Sequence, residues 1–170
     1  KGLVGKTYFK EPGGSFVLVG QDAIDRAAER NESARRPLHQ GVISPKEQDA
    51  LPVLKYIVKQ LIGDPIEPKE TVVYSIPAQP IDRSKDEFDV VYHEDVINNF
   101  LKELGYNPIS LNEAEAVAYS ELMENNLTGI SLSVGAGMCN VAVMMGGEAI
   151  LTFSVTRSGD YLDRMVAQST

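Results

Sequence analysis

Residues 130–143 have the sequence ISLSVGAGMCNVAV, in which two strand-length runs of apolar and small residues flank a Gly-Ala-Gly turn. This pattern predicts a β-hairpin. Glycine and alanine at the turn leave room for backbone N–H groups to converge on an anion, as they do in a phosphate-binding nest. A tight hairpin that needs glycine only for its turn geometry accounts for the same residues, and the segment alone favours that simpler interpretation.

Hydrophobic periodicity predicts the elements around this hairpin. Apolar or β-branched runs predict strands at residues 7–10, 16–19, 71–76, 107–111, 129–134, 141–145 and 149–155. Apolar residues at spacings of three and four predict helices at residues 21–30, 49–63, 96–105 and 112–123, and a last helix from about residue 159. Strands that alternate with helices are typical of an α/β fold, and we expect the strand at residues 71–76 to be buried and central.

The second helix has two candidate starts. Ser44–Glu47 has the pattern of a capping box with proline at the first helical position. A start there would place Pro52 inside the helix, where proline removes a hydrogen bond. A bend or restart near Asp49 puts Pro52 in the first turn instead, and we favour it.

Composition limits the function. Of 170 residues, 43% are hydrophobic and 24% charged, and the net charge is -8. An acidic chain without clustered positive charge argues against nucleic acid and against an anionic membrane surface. Its apolar runs are too short for a membrane span, and we expect no signal peptide. A lone cysteine, Cys139, allows no internal disulfide, so we expect a cytoplasmic protein.

Two more segments put the hairpin in context. Residues 111–119 (LNEAEAVAY) lie upstream and residues 155–163 (VTRSGDYLD) lie downstream. Together the three segments resemble the actin-like ATPase superfamily of actin, MreB-type bacterial actins and DnaK-type chaperones. In that superfamily a Glu-Pro-x-Ala-Ala-Ala helix, an Asp-x-Gly-x-Gly-Thr phosphate hairpin and a Gly-Gly-x-x-x-Asp segment follow one another.

Three earlier segments are similar to the MreB branch. Residues 36–43 (RPLHQGVI) resemble its Arg-Pro-(Met/Leu)-x-x-Gly-Val-Ile segment, and residues 72–77 (VVYSIP) its Val-Val-x-x-Val-Pro strand. Residues 16–23 (FVLVGQDA) resemble a strand that ends in Val-Gly-x-x-Ala. The resemblance covers nearly the whole chain in order. It implies an actin-like, ribonuclease H-like fold and a fragment of a longer protein.

The resemblance also implies a domain organisation and an activity. Residues 1–128 would form the first lobe without its first strands, and residues 129–170 would begin the second lobe with the phosphate hairpin. ATP and magnesium would bind between the lobes of the complete protein, and the parent would self-associate into cytoskeletal filaments. Two alternatives remain open: a non-catalytic actin-fold scaffold or interaction module, and a chaperone-like ATPase.

Site residues follow from the same resemblance. Glu113 matches the glutamate that positions the attacking water, although a glutamate at a helix start is also explained by the helix dipole. Ser133 stands where the family has an aspartate that orders waters around magnesium, which implies weakened hydrolysis and leaves enzyme activity uncertain. No residue is predicted to bind metal directly. The residues implied to hold the nucleotide are Ser133, Gly135, Ala136, Gly137 and Gly159.

Other departures and candidates concern single residues. Met138 stands where the family often has threonine, and Asn140 stands at a position that is acidic in the family. His39 and His93 have no neighbours that suggest a metal site or a catalytic triad, and we expect both to be solvated. We expect Cys139 to lie in the core, because free cysteine is readily buried.

Overall fold

The computed structural model describes residues 8–10, 13–43, 45, 48–83 and 89–169. The chain forms two compact units that alternate along the sequence. Unit 1 consists of Lys1–Pro37 and Glu47–Gly63, and unit 2 consists of Leu38–Lys46 and Asp64–Thr170. This division follows compactness alone, so the lobe boundary at residue 128 stays a prediction.

Unit 1 contains one antiparallel hairpin and two helices. Strands β1 (Tyr8–Lys10) and β2 (Phe16–Leu18) pair so that Phe9 is opposite Val17. Helix α1 (Gln21–Glu29) follows, and helix α2 (Leu51–Ile62) comes after a 3-10 turn at Gln48–Ala50. The rings of Phe9 and Tyr56 are 5.3 Å apart between centroids, so an aromatic contact joins the hairpin to α2.

The start of α2 confirms the predicted restart near Asp49. Ala50 is the N-cap residue, and Pro52 lies in the first turn, where its missing N–H costs nothing. Ser44, Lys46 and Glu47 of the alternative capping box lie outside the described residues. Gly63 ends the helix with a φ of 78°, a backbone angle that favours glycine.

Unit 2 begins with a very short hairpin. Strands β3 (Leu38–His39) and β4 (Val42–Ile43) are joined by the two-residue turn Gln40–Gly41. The φ angles of the turn residues are 49° and 91°, as a type I′ turn requires. Val42 and Ile43 are buried, so this small hairpin is anchored in the core of unit 2.

A parallel β-α-β unit comes next. It consists of β5 (Thr71–Ile76), α3 (Val90–Glu103) and β6 (Asn107–Asn112), with Thr71 paired to Asn107. Within the described residues β5 pairs only with β6, and its side chains alternate between exposed and half-buried; Val73 is 60% exposed. The prediction of a buried central strand is therefore wrong for one face of β5.

The predicted hairpin at residues 130–143 lies in a three-stranded antiparallel sheet. Helix α4 (Glu113–Glu121) leads through a 3-10 turn (Met123–Asn125) to three strands in the order β7 (Gly129–Val134), β8 (Cys139–Met145) and β9 (Glu148–Val155). Helix α5 (Gly159–Ser169) follows. The predicted hairpin at residues 130–143 is confirmed, as is the α/β class.

Helix α4 covers one face of this sheet. Small residues allow the close contact, and the core consists of Ala114, Ala118, Ala142 and Met144. The Ser131 hydroxyl on the same face donates to the Ala114 carbonyl at 2.6 Å. Cys139 points to the opposite face and is half-buried, so the prediction of a core cysteine is only partly correct. In the described part of the chain, no helix combines the length and the hydropathy that a bilayer crossing requires.

Candidate functional site

The β7–β8 turn, Gly135–Gly137, lies against the start of α5. The Gly135 carbonyl accepts hydrogen bonds from the Gly159 amide at 3.1 Å and from the Ser158 hydroxyl. The Ala136 carbonyl accepts from the Asp160 amide at 2.8 Å. These carbonyls therefore cap α5, whose first amides would otherwise lack partners.

The amides of the turn are used differently. The Gly135 amide donates to the Met138 carbonyl at 2.9 Å and closes the turn. Within the described residues, the amides of Ala136 and Gly137 donate to no protein acceptor. Ala136 is exposed. Within the described residues, these two successive amides are therefore available to donate hydrogen bonds to an acceptor on a ligand.

Close backbone contacts explain the glycines of this turn. A Cβ atom at Gly137 would lie 2.4 Å from the Cα of Gln40, and one at Gly159 would lie 3.2 Å from the Gly135 oxygen. A Cβ atom at Gly135 would lie 3.3 Å from the Met138 oxygen. None of the three glycines has a positive φ. The turn is therefore not a nest of alternating left-handed residues, and glycine serves close approach instead.

Met138 anchors the turn in the hydrophobic core. It is buried in a cluster with Val42 and Val90, and its terminal methyl would lie 3.4 Å from a Cβ atom at Gly41. A side chain held in this core presents no hydroxyl to a ligand at the turn. Met138, at a position where the resemblance implies a threonine, therefore connects the turn to the β3–β4 hairpin through apolar contacts.

Glu113 is the first residue of α4, and Asn112 caps that helix through its side-chain oxygen. The Oε2 atom of Glu113 accepts a hydrogen bond from Asn140 Nδ2 at 2.7 Å. Glu113 is half-buried, and this burial raises the pKa of its carboxyl above the ordinary value. Asn140 is 1% exposed, and its Oδ1 accepts from the Ala78 amide at 2.8 Å.

Ser133 lies beside this pair. It is the cross-strand partner of Asn140 in the β7–β8 register, so both side chains are on the face that α4 covers. Ser133 is half-buried and two residues from the turn. The structure thus groups the predicted site residues in two adjoining sets: Glu113 and Ser133 around Asn140, and Gly159 against Gly135 and Ala136.

Gly159 does not offer its own amide to a ligand, because that amide donates to Gly135. Its contribution is the absence of a side chain where α5 meets the turn. No cluster of three or more histidine, cysteine, aspartate or glutamate residues suited to a metal occurs in the described ranges. The unpaired amides fit a phosphate group, whereas the neutral Ser133 is a poor ligand for magnesium or its waters.

The prediction of a solvated His93 is wrong. His93 is 7% exposed, and its Nδ1 accepts a hydrogen bond from the Ile43 amide at 3.1 Å. Burial lowers the pKa of the imidazole. His93 thus anchors β4 to α3. His39 is exposed, as predicted.

The sequence did not predict the hydrogen bonds of Asn140 or the close backbone contact between Gln40 and Gly137. An amide in the apolar strand Cys139–Met145 is itself a signal, because a buried polar side chain needs hydrogen-bond partners. No comparable signal marks Gln40.

Solved structures identify the class of fold. MreB5 of Spiroplasma citri bound to ADP is similar with a TM-score of 0.62 and 20% identity over 95% of this chain and 47% of that chain. The same protein bound to AMPPNP gives a TM-score of 0.62, 21% identity and the same coverage. The ethanolamine utilization protein EutJ from Carboxydothermus hydrogenoformans gives 0.51 and 18%, over 81% of this chain and 46% of that chain. The chain therefore has an actin-like fold, and it spans about half the length of these proteins.

The family can be stated more narrowly. The Volactin family model matches residues 4–170, so the chain belongs to the Volactin family. No curated protein matches the chain.

Proposed function

We propose that this chain supplies a phosphate-binding turn to an actin-like protein that binds ATP with magnesium between two lobes. Residues 1–128 would belong to the first lobe, and residues 129–170 would begin the second. The observation that carries the proposal is the pair of unpaired amides at Ala136 and Gly137, next to carbonyls that α5 has already engaged. The fold it shares with MreB5, which was solved with ADP and with AMPPNP, supports the choice of ligand.

Amide chemical shifts test this proposal residue by residue. We expect magnesium-ATP to shift the amide signals of Ala136 and Gly137 in a ¹⁵N-labelled sample of the complete protein. The β8–β9 turn is the matched control, because the Gly146 amide donates to the Thr128 hydroxyl and the Gly147 amide to the Leu127 carbonyl. Equal responses in both turns, or none in either, would contradict the proposal.

Affinity provides a second criterion. The actin-like superfamily that the sequence resembles binds its nucleotide with two phosphate hairpins and an adenosine pocket, and only one of these three parts matches this sequence. Loss of remote contacts discards binding energy that positions the phosphates. We therefore expect weak or undetectable binding of magnesium-ATP by the 170-residue chain in isothermal titration. Micromolar affinity would count against this view.

Hydrolysis by the complete protein is proposed to be slow. Phosphoryl transfer depends on water positioning and on charge stabilisation, and Ser133 offers a neutral hydroxyl where the resemblance to the actin-like superfamily implies a carboxylate. Loss of one such contact costs on the order of 3 kcal/mol, or about a hundredfold in rate. Ser133→Asp should raise turnover about tenfold or more, and Glu113→Ala should abolish it. A wild type as fast as Ser133→Asp would refute this proposal.

Assembly is the remaining part of the proposal. We infer that the complete protein self-associates through head-to-tail contacts, which stay open and form filaments unless a rotation closes them. The net charge of -8 argues against a nucleic-acid partner, and the single cysteine supports a cytoplasmic protein. Sedimentation with and without nucleotide tests assembly. A monomer at all concentrations would favour the non-catalytic scaffold, which the neutral Ser133 and the buried Met138 also fit.

A further inference from the structure

A line of buried hydrogen bonds leads from β9 to Glu113. The Ser154 hydroxyl donates to the Ala78 carbonyl at 2.8 Å, and the Ala78 amide donates to Asn140 Oδ1 at 2.8 Å. Asn140 Nδ2 then donates to Glu113 Oε2 at 2.7 Å. Ser154 and Asn140 are almost completely buried. The Glu113 carboxylate is therefore the last member of a fixed series that starts on another strand.

This series determines how the Asn140 amide is oriented. A backbone amide can only donate, so the side-chain oxygen of Asn140 must face Ala78. Its NH₂ group must then face Glu113, whose oxygen accepts the bond. The two partners therefore fix the orientation of the Asn140 amide. A charged carboxylate at Glu113 satisfies the donor without any shared proton.

We propose that Asn140 is a positioning residue that keeps Glu113 ionised and fixes its Oε2 atom, which leaves Oε1 to accept a hydrogen bond from the water that attacks ATP. This inference rests on the proposed function of Glu113. In the described part of the structure no protein group donates to Oε1. Asn140 is also the cross-strand partner of Ser133, which places the oriented carboxylate on the sheet face that continues into the Gly135–Gly137 turn.

In this chain an acidic residue at position 140, although the resemblance implies that type of residue there, would act on Glu113 in the opposite way. Two carboxylates 2.7 Å apart cannot both be ionised and would share one proton. Burial already raises the pKa of Glu113, and a second negative charge would raise it further. The donor amide stabilises the ionised form instead, as hydrogen bonds to a carboxylate do.

The other titratable groups near α4 are not causes of the raised pKa of Glu113. Burial alone causes the shift at Glu113. Helix α4 packs on β5, β6, β7, β8 and the following 3-10 turn. The remaining titratable groups on these described elements are Glu115, Tyr119, Glu121, Glu124, Tyr74 and Cys139.

The substitution Asn140→Asp isolates the donor. Aspartate keeps an oxygen for the Ala78 amide and replaces only the NH₂ group that faces Glu113. We expect the titration midpoint of the Glu113 carboxyl, followed by side-chain ¹³C NMR, to rise by about one pH unit or more. Asn99→Asp, on the exposed side of α3, adds the same charge and should leave that midpoint unchanged. An unchanged midpoint in Asn140→Asp would overturn the proposal.

A measurement on the unmodified protein guards against a variant that does not fold. The side-chain NH₂ signals of Asn140 should titrate with the same midpoint as the Glu113 carboxyl, because the two groups share a hydrogen bond. Signals that do not follow Glu113 would refute the positioning role without any substitution.

ATP turnover by the complete protein tests whether the orientation of Glu113 by Asn140 affects hydrolysis. In Asn140→Asp we expect kcat for magnesium-ATP at pH 7 to fall about tenfold or more with little change in KM. The acid limb of the pH–rate profile should move upward with the Glu113 midpoint, and higher pH should restore turnover. A merely structural role would lower the active fraction without moving that limb, which would overturn the inference. Absent turnover in the wild type refutes proposed hydrolysis, whereas the NMR midpoints still decide whether Asn140 orients Glu113.

Discussion

Gly137→Ala tests the close backbone contact between the β7–β8 turn and Gln40 of the β3–β4 hairpin. A Cβ atom there would lie 2.4 Å from the Cα, 2.5 Å from the carbonyl carbon and 2.8 Å from the oxygen of Gln40. Ordinary contact begins near 3.4 Å, so the two backbones would have to separate by roughly 1 Å. All three atoms belong to the main chain, and no flexible side chain can move aside.

The hairpin resists that displacement. Gly41 packs on Met138, Val42 is buried in the same cluster, and the Ile43 amide is bonded to His93. Overpacking in such surroundings costs about 1–3 kcal/mol, and we expect about 3 kcal/mol here because the contact is with backbone. With an m value of about 2 kcal/mol/M, the urea midpoint should fall by roughly 1.5 M.

Urea denaturation followed by far-UV circular dichroism measures this change. Gly13→Ala is the control, because nothing lies within 4 Å of a Cβ atom at that turn residue and its φ is not positive. We expect the control to shift the midpoint by no more than a typical surface substitution, about 0.5 kcal/mol. If Gly137→Ala is as stable as Gly13→Ala, the hairpin does not rest on this glycine and our explanation of the turn fails.

Three further predictions concern stability. Burial lowers the pKa of His93, so the unfolded chain binds the extra proton below about pH 6.5, and the free energy of unfolding should fall between pH 7 and pH 5. His93→Gln should reduce this dependence in urea titrations. Burial raises the pKa of the Glu113 carboxyl above 4.5, so the stability that this group contributes is present at low pH and is lost as pH rises. Glu113→Gln should therefore raise the urea midpoint at pH 7.5 but not at pH 4. Met138→Ala should cost about 2–5 kcal/mol, more than Cys139→Ala at the half-buried neighbour, and equal losses would show that Met138 is no anchor.

Local patterns in the sequence predicted most elements of the fold. The Gly-Ala-Gly turn between apolar runs gave β7 and β8, and the position of Pro52 gave the start of α2. Such features depend on neighbours in the sequence, which the periodicity of apolar residues reports directly. The resemblance to actin-like proteins agrees with the structural similarity to MreB5.

Contacts between distant segments could not be predicted in this way. His93 has a polar side chain at a helix start, which is usually solvated, but α3 packs against β4 and brings it to Ile43. Asn140 gains its role from Ala78, in the connection after β5, and from Glu113 on α4. Periodicity identifies which face of an element is buried, but it does not identify the residues that this face meets.

The contact between Gln40 and Gly137 also bears on how the protein is synthesised. The β3–β4 hairpin leaves the ribosome roughly a hundred residues before the turn on which it rests. At about 5–20 residues per second, Met138 is made some 5–20 s after Val42, with which it shares a buried cluster. The β7–β9 meander joins neighbours in the sequence and closes quickly, whereas the long loop back to residue 40 closes late. Until Met138 is made, the cluster around Val42 is incomplete, so the hairpin reaches its final environment only late in synthesis.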